Sequence, residues 1–465
     1  MSAAGWTAFA FLAASALAPS ARADAPDSYL SNDPSPLRLY DFPERPPALE
    51  IGDPFLGSGE IRRAWTLPTG AVWSPSLLFY GVLRSAVQTN DGGTSPRVSE
   101  WANRLDFFGN LRLSGTERVV VGFRPFDSFD NSADNFSGYT FEPRSQRGFN
   151  PDFRGAPTTL FFEGELGEIF PALDGHDRRN LDYGFSVGRQ PLSLQDGLLV
   201  NDDVLDLVSV TRDHLEPSWA SKAKVSAIFG WSQIERGDNT RDLGAQLYAL
   251  SGYADLPAAT VEGDAAFVDS KSDADGLYAG LGSIQRLGGF GTTLRANGSW
   301  APDRETSKVG SGALLTAEIN HGVSTRDDYF YLDGFWGLER FTSADRSPTV
   351  GGPLSRVGLL FSSVGLGRYG SPLNNDVKRS AGGALGRQFV LGEQDTARRE
   401  LIFEIAGRAP TTGAAAPVDR ESGGVGARYQ QAFGRHLLGI VDAFAAVRRT
   451  APPSHGARLE LQAKF

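Results

Sequence analysis

Arginine and carboxylate side chains recur at every second position in several stretches of this sequence. In one stretch Arg104 and Asp106 alternate with Leu105 and Phe107, so the charges share one face if the chain is extended. Guanidinium groups bind carboxylates through paired hydrogen bonds, and opposite charges across a water-filled space create a field that orients polar solutes. The charged residues predicted on such water-facing sides are Arg104, Asp106, Arg112, Arg118, Arg124, Arg295, Glu318, Glu400 and Glu404.

Residues typical of catalysis or of metal binding are sparse. The chain has no cysteine, which excludes a thiolate nucleophile, a cysteine zinc site, an iron–sulfur cluster and disulfide bonds. Its histidines stand in no recognisable catalytic pattern with serine or aspartate, and neither G-x-S-x-G nor H-E-x-x-H occurs. We therefore predict that the protein is not an enzyme and holds neither a metal nor a cofactor. The five histidines are His176, His214, His321, His436 and His455.

The elements that would carry the alternating charges are strands. After residue 76 no window shows a sustained helical period; segments of about ten residues with period two are separated by Gly, Asp, Asn and Pro. In the last segment, 456–465, Leu459 and Leu461 oppose Arg458 and Glu460. Both a soluble sandwich and a membrane β-barrel alternate in this way, so the period alone does not separate them.

Two features favour the membrane barrel. Aromatic residues lie at the segment ends, as in the interfacial girdles of barrels; they include Trp101, Trp231, Trp300, Tyr329, Phe335 and Trp336. The chain also ends in Phe465 at the tip of an amphipathic segment, which resembles the signal read by the outer-membrane barrel assembly machinery. The mean hydropathy of −0.25 excludes a polytopic helical membrane protein but not a barrel whose inner half is polar.

Counting the segments predicts an all-β fold, a transmembrane antiparallel up-and-down β-barrel of about eighteen strands over residues 77–465, with long extracellular loops. The first count is nineteen, whereas bacterial barrels have even numbers. If 356–366 is not a wall strand, the count becomes even, at eighteen, and 339–379 becomes one long loop. Because residues 357–361 are apolar, we expect this loop to fold into the lumen and narrow it, or to cover the mouth. The alternative, in which 356–366 is a wall strand and the count misses or merges another, stays open.

The amino-terminal residues predict export. Residues 1–23 combine an apolar run with Ala21-Arg22-Ala23, the pattern of a cleaved signal peptide. An anchor helix is the alternative, but the run is shorter than the ~20 residues that span a bilayer. Residues 24–76 form a Pro-rich arm, which we expect to be irregular.

The most distinctive segment is 181–212. Arg189 falls on the apolar side of its strand, which indicates a bulge or a strand end, and Pro191 is expected to end the ladder. Asp196-Gly197 and Asn201-Asp202-Asp203 then predict a turn-rich acidic loop before Asp206. With Asp206, that loop could also be interpreted as a calcium site, although it offers few of the oxygens that the ion requires.

The order strand, Gly-Arg-Gln, Asp-Gly loop and Asp-rich strand in 181–212 resembles the alginate-export family of outer-membrane porins. The signal peptide, the strand number and the terminal Phe465 fit that family over the mature chain. The resemblance implies that Arg189, Asp196, Asp202 and Asp203 lie near the barrel mouth or inner wall, with Arg189 lining the pore. The net charge of −10 departs from the basic lumen of an alginate exporter, so alginate is not carried over.

The functional expectation is a passive outer-membrane channel for hydrophilic, anionic or saccharide-like solutes in a Gram-negative bacterium. The expected partners are outer-membrane lipid and lipopolysaccharide, the barrel assembly machinery, and a small hydrophilic solute or a polysaccharide. The acidic composition argues against nucleic acid. The alternatives are a polysaccharide exporter that works with a periplasmic secretion complex, a barrel enzyme, and a structural sheath for a periplasmic partner.

Overall fold

The alternating segments form antiparallel strands in a computed structural model of the chain. It describes residues 48–52, 64–93, 95–126, 136–173, 181–323, 328–347, 350–391, 398–411 and 421–465. The predicted signal peptide, 1–23, lies outside the described residues, and so do 24–47 and 53–63 of the predicted arm.

The strands in chain order are β1 (Leu49–Ile51), β2 (Trp65–Thr66), β3 (Val72–Trp73), β4 (Ser76–Asp91), β5 (Val98–Arg112), β6 (Arg118–Phe123), β7 (Ser137–Glu142), β8 (Gly148–Asn150), β9 (Pro157–Glu165), β10 (Tyr183–Leu194), β11 (Val200–Leu215), β12 (Lys222–Ser232), β13 (Ala245–Asp255), β14 (Ala259–Ser270), β15 (Gly276–Leu287), β16 (Phe290–Trp300), β17 (Gly312–Gly322), β18 (Tyr329–Glu339), β19 (Asp345–Arg346), β20 (Ser380–Leu391), β21 (Arg399–Pro410), β22 (Ser422–Phe433), β23 (Leu437–Arg448) and β24 (Ser454–Lys464). Helical segments are short: Arg144–Gln146, Leu166–Ile169, Pro171–Leu173, Gln195–Gly197 and Pro353–Arg356. Within the described ranges, no helix is long and apolar enough to cross a membrane.

Eighteen of the described strands form one closed wall: β4–β6, β9–β18 and β20–β24. Each pairs with the next in an antiparallel ladder, and β24 pairs back onto β4 from His455↔Asp91 to Lys464↔Val82. Closure removes the free edges that an open sheet would expose. The predicted all-β barrel of about eighteen strands is therefore confirmed, and its wall begins at Ser76 rather than at residue 77.

The two faces of the wall differ in polarity. In β24, Leu459 is 60% exposed on the outside, whereas its neighbour Glu460 is 1% exposed on the inside. The same parity continues around the ring because paired residues share a face. At one end of the barrel, tryptophans form part of an outward girdle; they are Trp101, Trp231, Trp300 and Trp336. Phe335, predicted to belong to that girdle, instead faces inward and is 5% exposed. It precedes the outward-facing Trp336, and successive residues of a strand point to opposite faces.

The connections divide the two ends of the barrel. One end carries 124–156 and 340–379 and is called here the long-loop end; the other carries tight connections such as 288–289 and 434–436 and is called the short-turn end. The connection 166–182 is a longer one at the short-turn end. The described part of the arm is not irregular throughout, because β1 pairs with Leu77–Phe79 of β4.

Candidate functional site

The long connection 340–379 lies inside the barrel. No wall strand forms within 356–366, and β18 pairs directly with β20, for example Trp336 with Ala381. The parity argument that removed 356–366 from the wall is thus confirmed. The connection, called here the inner loop, contacts inward-facing side chains on several sides of the lumen.

A carboxylate on β21 holds one side of the inner loop. Glu404 accepts hydrogen bonds from the backbone N–H of Leu359 at 2.7 Å and of Leu360 at 2.8 Å. The Tyr331 hydroxyl donates to the same carboxylate. Gly358 has a φ of +70°, and a Cβ there would lie 2.3 Å from a Glu404 carboxylate oxygen. Glycine is therefore required for the backbone to approach this closely.

Basic and amide side chains on β4 and β5 hold the opposite end of the same segment. Arg84 Nη2 donates to the carbonyl of Val364 at 3.0 Å, and Arg104 Nη1 donates to that of Gly365 at 3.1 Å. Gln88 donates to the next carbonyl, that of Leu366, at 2.9 Å. Loop carbonyls thus face arginines, whereas loop N–H groups face a glutamate.

Apolar packing fixes the middle of the inner loop. Val357, Leu360 and Phe361 are at most 3% exposed and belong to a core that includes Phe335 and Phe444 from the wall. The Phe335 and Phe361 rings meet edge to face with centroids 5.4 Å apart. Burial of each such side chain contributes ~1.5–3 kcal/mol, so the apolar segment accounts for the inward fold predicted from residues 357–361.

A second element enters the lumen from the β10–β11 hairpin. Its tip, Gln195–Gly197, continues into Leu198, which is 2% exposed and packs in the same core as the inner loop. Strand β19 of the inner loop pairs in parallel with Val200 and Asn201 of β11. The hairpin tip and the inner loop therefore form one packed unit inside the barrel.

The acidic loop predicted after Pro191 needs correction. Strand β10 continues past Pro191 with a register shift between Gln190 and Leu192, and β11 begins at Val200. A bulge leaves Pro191, which has no N–H to donate, out of the ladder, and the antiparallel pairing resumes at Leu192.

Asp196 and Asp202, which were expected near the barrel mouth or inner wall, lie inside the barrel. Asp196 lies at the inward-folded tip, where its Oδ2 is 2.6 Å from Arg356 Nη2. Asp202 is 1% exposed within β11, and its Oδ1 accepts from the N–H of Val204 at 2.7 Å. Asp203 also belongs to β11 rather than to a loop, and its side chain lies outside the described residues.

The predicted pore position of Arg189 is wrong. Arg189 pairs in register with Asp206 and Leu160, on the same face as Val187, which is 42% exposed outside the barrel. Its Nε and Nη2 donate to Asp206 at 2.7 Å and 3.0 Å, so the pair neutralises itself on the outer face. Asp206 is therefore unavailable to the suggested calcium loop, and among the described residues no group of three or more His, Cys, Asp or Glu could hold a metal ion.

One arc of the lumen wall, from β22 through β24 and β4 to β6, is rich in arginine. Asp106 Oδ2 lies 2.8 Å from Arg104 Nε, and its Oδ1 lies 2.6 Å from Arg124 Nε. Where β24 pairs with β4, Glu460 of β24 binds Arg84 of β4 at 2.6 Å and also contacts Arg458. Asp442 bridges Arg458 and Arg428. Among the described inward positions of this arc, arginines outnumber carboxylates.

The opposite arc, from β14 to β21, is rich in carboxylates. Arg295 is 3% exposed at its side chain and lies 3.2 Å from Glu262, 3.8 Å from Asp196 and 3.9 Å from Glu318. Asp333 stands next to Glu318 in register on the same face. The inner loop lies between this acidic arc and the basic one. The two arcs differ in charge, so there is a charge difference across the lumen.

The remaining sequence-predicted residues lie nearer the short-turn end. Arg112 and Arg118 are paired in register beside the turn between β5 and β6, and Arg118 Nε is 2.5 Å from Glu163. Glu400 is inward-facing near the start of β21 and accepts from Gln430. They belong to the lumen wall but do not contact the inner loop through a described hydrogen bond.

Several lumen charges were missing from the sequence-based set, namely Arg84, Glu262, Asp333, Arg428 and Asp442, whereas Arg458 and Glu460 were recognised on the polar face of the last segment. The period-two alternation could have identified each of them, since each has at least one apolar neighbour on the opposite face. Their pairing could not be identified, because partners such as Arg84 and Glu460 lie at opposite ends of the chain.

A buried carboxyl lies where β19 meets β11. Burial raises the pKa of Asp345 well above its ordinary range, and the neighbouring Asp202 carboxylate raises it further. Asp345 Oδ1 accepts from the N–H of Glu235 at 2.7 Å. Burial also lowers the pKa of the adjacent Arg346 to about 10, against the opposing effect of Asp345.

The barrel is similar in fold to solved outer-membrane β-barrels. OccK5 (OpdH) of Pseudomonas aeruginosa shares 10% identity and a TM-score of 0.53, covering 84% of this chain and 98% of that chain. OccAB2 of Acinetobacter baumannii shares 8% identity and a TM-score of 0.52, with the same coverages of 84% and 98%. OccK11 (OpdR) of P. aeruginosa shares 12% identity and a TM-score of 0.51, covering 84% and 96%.

These likenesses show the fold, which is that of Gram-negative outer-membrane β-barrels. No protein-family model matches the sequence, and no curated protein is significantly similar to it.

Proposed function

We propose that this protein is an outer-membrane channel of a Gram-negative bacterium that passes small hydrophilic solutes passively through its charge-lined lumen. The observation that carries the proposal is the opposition of an arginine-rich arc and a carboxylate-rich arc on the inner wall of a closed eighteen-strand barrel. A barrel of this size encloses a lumen wide enough for water. In the proposed orientation the long-loop end faces outward and the short-turn end faces the periplasm.

The inner loop supplies the selectivity of the proposed channel. It narrows the lumen between the two arcs, so a solute must pass through a transverse field that aligns its dipole. Arginines such as Arg104 favour anionic or saccharide-like solutes that bring oxygen acceptors. No chemical step is assigned to the protein, since its lumen is proposed to select solutes rather than to convert them.

A polysaccharide exporter is the second candidate, and the resemblance of residues 181–212 to the alginate-export family is what favours it. In that case the proposed partner is a periplasmic secretion complex at the short-turn end. Either function requires outer-membrane lipid, lipopolysaccharide and the barrel assembly machinery as partners, and cleavage of residues 1–23 on export. A channel opens without a partner complex, which separates the two candidates.

Planar-bilayer conductance of the purified protein tests the channel. We expect stable open channels with a measurable ion selectivity. Replacement of Pro353–Pro372 by a short Gly-Ser linker removes the apolar middle of the inner loop and should raise single-channel conductance several-fold, while the eighteen-strand ladder remains. The absence of conductance in both proteins at any voltage would contradict the proposal.

The charge arcs predict the direction of selectivity. Neutralising Arg104, Arg112, Arg118 and Arg124 to Gln should lower the anion-to-cation permeability ratio about two- to fivefold, because lumen charges attract counter-ions. The matched control is Arg189→Gln, which removes one arginine from the outer face. Reversal potentials in a salt gradient measure both; an equal shift for the control would rule out lumen charge as the cause.

A further inference from the structure

A small alcove lies on the lumen wall below the inward-folded hairpin. Its volume is about 250 Å³, and strands β10–β13 supply its lining. Leu194 and Ile228 give it an apolar side, and both belong to the core that packs the hairpin tip against the wall. The alcove lies apart from the ion-pair networks of the two charged arcs.

The other side of the alcove is a row of hydroxyl groups. Thr211 of β11 is paired in register with Ser226 of β12, and their hydroxyl oxygens are 2.8 Å apart. Ser226 is in turn opposite Ser251 of β13, and Ser209 and Tyr253 also line the alcove. A hydroxyl can donate and accept at the same time, so the row can exchange hydrogen bonds with a ligand without losing its internal ones.

Two polar groups in the alcove have no described partner. Gln190 is 7% exposed, and its Nε2 has no hydrogen bond among the described residues. Lys224 faces the alcove and forms no ion pair within the described part of the chain, whereas Lys222, two residues earlier, lies 3.2 Å from Asp213. A buried amide donor without an acceptor costs ~1–3 kcal/mol, which a ligand oxygen would offset.

We propose that this alcove is a binding subsite for a small polyhydroxylated solute of about monosaccharide size. The assignment deepens the proposed channel function and rests on it, since a subsite on the lumen wall serves a passing solute. The volume is below the ~300–1,000 Å³ of sites for drug-sized ligands. The apolar side meets the C–H groups of such a solute, the hydroxyl row and Gln190 meet its hydroxyls, and Lys224 binds a carboxylate when the solute carries one.

Saturation-transfer NMR on the full-length protein in detergent micelles, with D-glucose and D-glucuronate as probes, tests the subsite. We expect both sugars to bind and the glucuronate to bind about tenfold tighter, the lower end of the range for one hydrogen bond to a charged group. Lys224→Gln should abolish that preference while glucose binding remains. The control, Lys271→Gln, removes an exposed lysine that does not line the alcove and should leave both affinities unchanged.

Gln190→Leu keeps the side-chain volume and removes the amide, so it should weaken both sugars about threefold to tenfold. The heat-dependent gel mobility of each variant shows that the barrel is folded. Absence of binding of either sugar, or affinities that neither Gln190→Leu nor Lys224→Gln alters, would overturn the subsite. Bilayer conductance of the same preparations separates the two proposals: a conducting barrel without sugar binding refutes only the subsite, and sugar binding without conductance refutes only the channel.

Discussion

At the scale of single residues, the inner loop is held by side chains whose polarity matches the peptide groups that they meet. Glu404 accepts from two loop N–H groups, whereas Arg84 and Arg104 donate to two loop carbonyls. Hydrogen bonds to charged groups are stronger than neutral ones. The loop is thus oriented as well as anchored, because a reversed chain direction would place carbonyls against the carboxylate.

Glu404→Gln tests this anchor. The amide keeps one acceptor oxygen but turns its other end into a donor that faces a backbone N–H, so we expect a loss of ~1–3 kcal/mol at the contact. Amide hydrogen exchange at Leu359 and Leu360 should accelerate, and open-channel current noise should rise. The control is Glu400→Gln, on the same face of the same strand but without a described contact to the loop. Equal changes in both variants would show that lumen charge, rather than the anchor, is responsible.

The sequence predicts the face of such residues and little of their contacts. Period two places Glu404 and Arg104 on polar sides, because alternation depends only on the extended backbone. Their loop partners are 44 and 261 positions away, and no local pattern encodes that distance. Arg189 illustrates this: alternation already puts it on the apolar side of its strand, whereas its pairing with Asp206 follows only from the strand register.

At the scale of elements, the inner loop and the β10–β11 hairpin depend on each other. Strand β19 adds to the end of β11, and the N–H of Ala344 donates to Leu199 at 2.8 Å. Two segments that would each expose unpaired backbone inside the barrel thereby satisfy one another. The junction buries the carboxyls of Asp345 and Asp202, with Glu235 beside them and Arg241 3.6 Å from Glu235.

The junction predicts a pH dependence. Because burial and Asp202 raise the pKa of Asp345 above its ordinary value of 3.8, the folded chain holds this proton more tightly than the unfolded one. Stability therefore falls as pH rises from about 4 through the raised pKa, by ~1.4 kcal/mol for each pH unit that separates the pKa values of the unfolded and folded chains. Asp345→Asn keeps the Oδ1 acceptor and removes the titration, so its thermal midpoint in detergent should fall less between about pH 5 and pH 9.

The control for this prediction is Asp376→Asn, which changes a carboxylate of the same loop that lies away from the junction. It should keep the pH dependence of the wild type. A wild-type thermal midpoint that rises over this pH range would contradict the predicted direction. If Asp345→Asn keeps the wild-type pH dependence of the midpoint, groups other than Asp345 are responsible for it.

At the scale of the whole molecule, the barrel closes where its two ends meet. The N–H of Phe465 donates to the carbonyl of Gly81 at 3.0 Å, and the N–H of Gly81 donates back at 2.7 Å. The Phe465 ring covers Gly81, where a Cβ would lie 2.8 Å from it. Phe465 therefore forms the last rung of the closing seam, and its role in assembly stays a prediction.

Phe465→Ala is expected to slow closure, because the ring that covers the seam is lost while the backbone pairs remain. The matched control is Phe433→Ala, a 52% exposed aromatic residue at the same end of the barrel and away from the seam. Refolding into lipid vesicles, followed by heat-dependent gel mobility, measures the rate. Similar rates for both variants would show that Phe465 acts as a general interfacial aromatic.

The sequence by itself determined the wall: its strands, their even number, their faces and the exclusion of 356–366 all follow from period two and from the parity of a closed barrel. The tertiary structure decided what fills the wall. The inward fold of 195–199, the partners of Glu404 and Arg84, and the pairing of Arg189 with Asp206 depend on contacts between residues far apart in the chain. Alternation depends only on residues that are adjacent in the sequence. These contacts depend instead on closure of the barrel and on the register of its strands, and a single bulge at Pro191 is enough to shift that register.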